Sequence, residues 1–287
     1  MKSFQSIFVA LLVGIGLTLG LVGNAPAADK ETEIAYVEWS CATASAHVVK
    51  AVLETELGYE VELTSVSAAA MWQALASGDV DASTTAWLPT THGDYLDKVE
   101  DDIVNLGHNL VGTRIGLVVP DYVTIDSIDE LDEHADKFDN QITGIDPGAG
   151  IMSKTDQVIE EYNLENMELR ESSGAMMTAV LKDKIKDGEW VVVTGWTPHW
   201  KFGKWDLKYL EDPKNVYGGA EHIDTIVRQG LKEDKPDLYA FLDNFQWEPE
   251  DIQTVMAWNQ KEGTSPAENA QKWIKQNPDK VEAWLPK

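Results

Sequence analysis

Three tryptophans, each next to a predicted strand end, are the residues of this chain best suited to bind a ligand. Trp39, Trp87 and Trp196 each follow a short run of β-forming residues. Indole faces attract a cation through their quadrupole and also make apolar contact with its methyl groups. A box of such rings selects a fully alkylated cation, because a hydrated ammonium would bury N–H donors without partners. The three residues therefore predict a site for a quaternary ammonium or sulfonium group.

The competing interpretation is that these rings are ordinary core residues. The chain contains 11 tryptophans, and for any single one of them packing is the better interpretation. Trp87 and Trp196, however, stand in matching Trp-x-Pro turns, which favours a site. Trp200 is left undecided. The other tryptophans lack this placement and are interpreted as packing residues: Trp72, Trp190, Trp205, Trp247, Trp258, Trp273 and Trp284.

A glycine-rich turn is a candidate for the opposite end of the ligand. Residues 144–151 read Gly-Ile-Asp-Pro-Gly-Ala-Gly-Ile, between a predicted strand and a predicted helix. Backbone N–H groups at a helix N-terminus suit an anion, although Asp-Pro-Gly is also an ordinary turn. No Gly-Lys-Ser/Thr follows, so a carboxylate fits better than a nucleotide phosphate. His92, five residues after Trp87, is a candidate second donor, with a purely structural role as the alternative.

The sequence contains no catalytic or metal-binding pattern. Cys41 and His92 lack an orienting third group, Ser/His/Asp motifs are absent, and no histidines have metal-ligand spacing. A single cysteine allows neither an internal disulfide nor a cysteine-based metal site, and Cys41 is expected to be a buried small residue. We therefore predict a binding protein and not an enzyme, with no cofactor and no bound metal.

The chain is acidic, and its N-terminal segment indicates export. It has 23 basic and 49 acidic residues, for a formal charge of −26, which argues against nucleic acid and anionic membranes as partners. Lys2, the apolar run 7–22 and Ala25-Pro26-Ala27 are typical of a signal peptide cleaved after Ala27. Export without a lipidated cysteine predicts the periplasm. A retained membrane anchor is the alternative.

The predicted helices and strands around these tryptophans occur twice along the chain. Each copy reads as a small-residue helix, then a strand, then a Trp-x-Pro turn. The order β-α-β-α-β, seen up to Trp87 and again from Ile142 to Thr194, predicts parallel strands covered by helices. In such sheets ligands bind at the carboxyl ends of the strands, where the three tryptophans fall. The matching segments are 65–75 followed by 86–92, and 171–181 followed by 195–200.

The repeat predicts two lobes joined by few crossings. Lobe 1 is expected to comprise residues 28–116 plus 228–287, and lobe 2 residues 117–227, after a signal peptide at residues 1–27. Strands near 115–119 and 223–227 would cross between the lobes as a hinge, an arrangement that permits rigid-body closure.

Four segments also make the chain resemble a known family. They are Ala-Ala-Ala-Met-Trp at 68–72, Ala-Trp-Leu-Pro-Thr-Thr-His-Gly-Asp-Tyr at 86–95, Gly-Ile-Asp-Pro-Gly-Ala-Gly-Ile-Met at 144–152 and Thr-Gly-Trp-Thr-Pro-His-Trp at 194–200. The chain closely resembles the glycine betaine-binding proteins of osmoprotectant ABC importers, over essentially all of its length after residue 27. The resemblance implies an α/β, two-lobed periplasmic-binding-protein fold of type II, each lobe an open, mostly parallel sheet flanked by helices.

The resemblance also implies roles for individual residues. Three tryptophans would cage a trimethylammonium group, while two backbone amides and one histidine would bind the ligand carboxylate. These ligand-binding residues are Trp39, Trp87 and Trp196 for the cage, and Gly150, Ile151 and His92 for the carboxylate.

The function predicted from these observations is capture of a small zwitterion for import. The chain is expected to bind glycine betaine or a related quaternary ammonium or sulfonium compound for osmoprotection, as a monomer. It would pass this ligand to a membrane permease driven by a separate ATPase. A chemosensory or regulatory betaine-binding module is the main alternative, and an enzyme acting on betaine-like compounds is less favoured.

Overall fold

The structure is a computed structural model that describes residues 30–287. The predicted signal peptide lies outside the described residues. No helix among those residues combines the length and apolarity needed to span a bilayer.

The described residues form nine strands and ten helices. The strands are β1 (Glu31–Tyr36), β2 (Glu60–Ser65), β3 (Ala82–Leu88), β4 (Ile103–Pro120), β5 (Gln141–Thr143), β6 (Glu168–Arg170), β7 (Val192–Thr197), β8 (Leu207–Tyr209) and β9 (Glu221–Arg228). The helices are α1 (Ser40–Glu56), α2 (Ala68–Ser77), α3 (Gly93–Leu96), α4 (Gly150–Glu161), α5 (Gly174–Asp187), α6 (Leu231–Asp234), α7 (Pro236–Asn244), α8 (Pro249–Asn259), α9 (Pro266–Gln276) and α10 (Pro278–Trp284). Short 3₁₀ turns lie at Glu100–Asp102, Ile128–Glu130, Asp132–Phe138 and Trp200–Gly203.

The second helix of each copy is bounded by the same local chemistry. The Ser67 hydroxyl accepts the N–H of Ala70 at the start of α2, and Ser173 caps α5 in the same way. Gly78 and Gly188 end these helices with φ of 78° and 69°, which favour glycine. A serine cap stabilises a helix by about 1 kcal/mol. The small-residue helix predicted in each of the segments 65–75 and 171–181 is therefore present.

The two copies build equivalent three-stranded parallel units. In the first, β1 lies between β2 and β3; in the second, β5 lies between β6 and β7. The parallel units predicted from the repeat are thus present. The prediction of mostly parallel sheets was too simple, because β4, β8 and β9 add antiparallel pairs and make both sheets mixed.

The long strand β4 joins the two units. It pairs with β9 as far as Thr113 and with β7 from Arg114 onward. Only its second part, near 115–119, was predicted as a strand. Glycines at 107 and 112 have positive φ and interrupt the alternation on which a strand prediction depends.

Strand β9 lies between β3 and β4, in the sheet of the first copy. The predicted second lobe extended to residue 227 and so included most of this strand. The C-terminal helices α8 and α9 pack against α1 of the first copy. The division of the chain into lobes stays a prediction.

The tryptophans interpreted as packing residues are buried or half-buried. Trp72 and Trp273 are among the largest fully buried side chains, and the rings of Trp273 and Trp284 stack with centroids 5.6 Å apart. Trp247 is also buried, whereas Trp190, Trp205 and Trp258 are partly buried against the core.

Candidate ligand-binding site

The three tryptophans predicted to form a cage line a single cavity between the two copies. Trp39 immediately precedes α1, and all three rings are buried. Trp87 and Trp196 are the next-to-last residues of β3 and β7, so they lie inside strands that were predicted to end before them. The cavity leaves about 300 Å³ of space unoccupied by protein atoms, a volume that includes its opening to solvent.

The two Trp-x-Pro turns have the same local geometry. The Leu88-Pro89 and Thr197-Pro198 peptide bonds are both cis. The equivalence of the copies therefore extends from the order of their elements to the turns that carry Trp87 and Trp196.

The rest of the cavity wall is mostly apolar, which suits methyl groups. Gly150 and Ile151 belong to it, as the resemblance implied. Sequence reasoning missed five further lining residues: Cys41, Thr91, Ile115, Ile145 and Ala149. Ile145 and Ala149 belong to the glycine-rich turn that had been singled out. Ile115 lines the cavity because β4 places it directly opposite Trp196 on β7. No local sequence pattern predicts which residues of these two strands pair.

A helix N-terminus forms part of the cavity wall. Helix α4 begins at Gly150, and Ala149 before it provides no side-chain cap. The first N–H groups of a helix have no intrahelical acceptor and carry the positive end of its dipole. A Cβ built on Gly150 would lie 1.8 Å from the Thr91 carbonyl oxygen, so only glycine permits this contact. The arrangement suits a small anion.

His92 is completely buried and does not line the cavity surface. Its Nδ1 accepts the backbone N–H of Trp87 at 3.1 Å, so the proton of the neutral ring is on Nε2. Among the described residues Nε2 has no hydrogen-bond partner. Burial lowers the pKa of His92 to about 3, and its ring centroid lies 5.6 Å from that of Trp39. The side chain is a neutral donor without an acceptor, beside the cage.

Polar contacts connect the glycine-rich turn to the first copy. Trp39 Nε1 donates to Asp146 Oδ2 at 3.4 Å, and the Tyr95 hydroxyl donates to the Gly148 carbonyl at 2.8 Å. The two copies therefore meet around the cavity, and their contacts help to hold one cage ring in place.

A buried lysine, unanticipated from the sequence, lies against the cage. Lys201 is fully buried, with Nζ 4.7 Å from the centroid of the Trp196 ring and 3.5 Å from the Thr194 carbonyl. Burial lowers the pKa of Lys201 to about 7. Trp200, left undecided, is buried and donates from Nε1 to Ser40 Oγ at 3.1 Å, outside the cavity wall.

Comparison with known proteins relates this geometry to a family. A family model described as the substrate-binding domain of the ABC-type glycine betaine transport system matches residues 30–276. The chain belongs to this family. Its match covers both copies of the repeat and all the lining residues, so the family predicted by resemblance is confirmed.

Members of the glycine betaine transport family resemble this chain in sequence and structure. This chain is 53% identical over 163 residues to the glycine betaine/carnitine transport binding protein GbuC of Listeria monocytogenes. The 163 aligned residues are 56% of this chain and 54% of that protein. The chain thus spans about half the length of this curated relative.

Two solved structures extend the likeness to the whole fold. One is the glycine betaine, L-proline-binding protein ProX of Borrelia burgdorferi, with 41% identity, a TM-score of 0.87 and coverage of 90% of this chain and 97% of that one. The other is lactococcal OpuAC, closed and complexed with glycine betaine, with 40% identity, a TM-score of 0.86 and coverage of 90% and 100%. The α/β, type II periplasmic-binding-protein fold is thereby confirmed. As a member of this family, the chain is a transport substrate-binding domain.

Proposed function

We propose that this chain captures glycine betaine, or a closely related quaternary ammonium or sulfonium zwitterion, and delivers it to the membrane permease of an ABC importer for osmoprotection. The observation that carries the proposal is the meeting of three buried indoles with the N-terminus of α4 in one cavity. Glycine betaine bound to the lactococcal relative supports the same ligand class here.

The cation end of the ligand would contact Trp39, Trp87 and Trp196. Each indole contributes about 0.5–2 kcal/mol of cation–π attraction, more when the contact is desolvated. A trimethylammonium needs no hydrogen-bond acceptor, and the cavity wall provides apolar contact to its methyl groups. A primary ammonium would have to bury three donors here, which is costly. The cage therefore selects for alkylation.

The carboxylate would be bound by the N–H groups of Gly150 and Ile151 and by Nε2 of His92. Charge-assisted hydrogen bonds contribute about 1.5–3 kcal/mol each. A carboxylate would give the unpaired His92 donor its missing partner. Both ends of the ligand would then be held by groups from both copies of the repeat.

Binding without turnover is part of the proposal. Burial raises the pKa of the Cys41 thiol to about 11, so at neutral pH it is protonated and a poor nucleophile. We also propose that the chain works as a monomer in the periplasm after cleavage of residues 1–27, with a separate ATPase driving its permease.

The proposal is tested by calorimetry on Trp87→Ala. Loss of one cage ring should weaken glycine betaine binding at least about tenfold, equivalent to about 1.4 kcal/mol. Trp258→Ala is the matched control, because that half-buried indole lies outside the cavity. Choline, carnitine, proline betaine and dimethylsulfoniopropionate, titrated in parallel, define the ligand class. Unchanged affinity in Trp87→Ala, or no binding of any of these ligands, would contradict the proposal.

A further inference from the structure

We infer that His108, His222 and Asp224 form a binding site for one divalent transition-metal ion of the kind that prefers imidazole, such as Zn²⁺. The sequence predicted no metal site, because these histidines are far apart along the chain and match no ligand spacing. Folding brings both imidazoles against one carboxylate on strands β4 and β9.

The three side chains converge on a common point. Asp224 Oδ1 lies 2.7 Å from His108 Nδ1 and 3.5 Å from His222 Nε2. One donor atom from each residue lies within 4.8 Å of the other two. Ligands of a tetrahedral zinc ion, each about 2.0–2.1 Å from the metal, are roughly 3.3 Å apart. The observed separations bracket that value, so only small side-chain movements are needed to coordinate an ion.

The strand register creates this arrangement. His108 pairs directly with Asp224 across β4 and β9, and His222 precedes Asp224 by two residues, so all three project from one face. Gly107, at φ 93°, forms the irregularity in β4 that sets His108 in this position. As a result the two imidazole rings approach to 3.7 Å between centroids.

The surroundings of the cluster resemble a prepared metal site. The Asp224 side chain is only 3% exposed, and Asn105 Nδ2 donates to its Oδ2 at 2.7 Å. This bond orients the carboxylate and leaves Oδ1 for the imidazoles, as outer-shell partners do in metal sites. The His108 side chain is 52% exposed, so water has access as a further ligand.

The ligand set and charge indicate which ions would bind. Two imidazoles and one carboxylate suit Zn²⁺, Ni²⁺ or Cu²⁺, whereas Mg²⁺ and Ca²⁺ prefer oxygen ligands only. The formal charge of −26 raises the local concentration of cations near the surface.

This cluster is separate from the betaine cavity. Asp224 and His222 pair across to Ala86 and Leu88 of β3, whereas Trp87 pairs with Ile223. Because side chains alternate along a strand, Trp87 and the cluster project from opposite faces of the sheet. The metal site and the betaine site can therefore fail independently.

Titration calorimetry with Zn²⁺ tests the inference. Excess Mg²⁺ in the buffer occupies carboxylate-only sites and leaves imidazole sites open. The wild-type protein should bind one Zn²⁺ per chain, and His108→Gln and His222→Gln should each bind it at least about tenfold more weakly. His134→Gln is the matched control. It also removes an imidazole, but His134 packs on Trp190 and is not part of the cluster.

Melting temperature without metal reports whether each variant folds, and Zn²⁺ should raise it only in the wild type and in His134→Gln. Co²⁺ bound to the wild type should show the visible absorption of a nitrogen- and oxygen-ligated ion. No saturable Zn²⁺ binding, or equal affinity in all four proteins, would overturn the inference. Glycine betaine affinity should be the same in all four, so loss of metal binding alone leaves the proposed function standing.

Discussion

Single residues in and beside the cavity offer two different kinds of chemistry. The indoles offer faces without hydrogen-bond demands, and the buried His92 offers a donor that lacks an acceptor. With a pKa of about 3, His92 is neutral at any physiological pH, so its role as a donor does not depend on protonation.

Removal of the His92 donor should affect carboxylate ligands selectively. His92→Ala is expected to weaken glycine betaine binding by about tenfold or more, the value of one charge-assisted hydrogen bond. Choline carries the same trimethylammonium group without a carboxylate, so its affinity should change little. Calorimetry with both ligands makes the comparison. Equal losses for the two would reject the assigned role and indicate a structural effect.

The charge of Lys201 should make ligand affinity depend on pH. Because its pKa is about 7, Lys201 gains a proton as the pH falls from 8 to 6. The resulting ammonium lies against the Trp196 ring and repels a cation bound in the cage. Like charges about 10 Å apart repel by about 1.7 kcal/mol at an effective dielectric constant of about 20. Glycine betaine affinity should therefore rise severalfold from pH 6 to pH 8.

Lys201→Met tests this assignment, because its affinity should be nearly constant over the same range. Three neighbouring groups keep their charge over this range. Burial depresses the pKa of His92 to about 3 and that of His199 well below its usual value, and it raises the pKa of Cys41 to about 11. A pH dependence that survives in Lys201→Met would contradict the prediction.

At the scale of elements, the site depends on how closely α4 approaches the turn after β3. The contact of Gly150 with the Thr91 carbonyl sets the position of the α4 N-terminus relative to Trp87. Position 150 requires glycine because there is no space for a side chain. The backbone conformation is not the reason, since the φ of Gly150 is not in the left-handed region.

Gly150→Ala should therefore separate these elements and weaken binding. The new methyl group would meet backbone, which cannot move aside cheaply, and overpacking of this kind costs about 1–3 kcal/mol. We expect glycine betaine affinity to fall at least about tenfold by calorimetry. Gly148→Ala in the same turn is the control, because a Cβ there meets nothing within 4 Å. Similar affinities in the two variants would show that the close approach is unimportant.

At the scale of the whole molecule, the site exists only where the two copies of the repeat meet. Trp87 and Trp39 come from the first copy, whereas Trp196 and Gly150 come from the second. A ligand that contacts both copies favours the state in which they are together, by the difference in its contacts between the two states.

Small-angle X-ray scattering should show this as compaction. We expect the radius of gyration of the wild-type protein to decrease when glycine betaine is added at saturating concentration. Trp87→Ala at the same ligand concentration should remain closer to its unliganded value. An unchanged radius in the wild type, under conditions where calorimetry shows binding, would argue against closure and against the predicted division into lobes.

Local patterns were sufficient to predict much of this protein. The repeat, the serine caps at Ser67 and Ser173 and the strand and helix periods are encoded by residues close together along the chain, so both β-α-β-α-β units and their tryptophans were predictable. The glycine-rich turn and His92 were singled out from the residues themselves, and the family resemblance assigned carboxylate binding to Gly150, Ile151 and His92. Family membership is confirmed, and the roles of these residues stay predictions.

Tertiary structure alone decided which distant residues meet. The pairing of Ile115 with Trp196 and the convergence of His108 and His222 on Asp224 depend on the antiparallel register of β4 with β7 and β9. Register arises from side-chain packing and from irregularities in a strand, such as the one at Gly107. It pairs residues that are roughly a hundred positions apart along the chain. No local periodicity contains that information, because a shift of one residue preserves the pattern and turns every side chain to the other face.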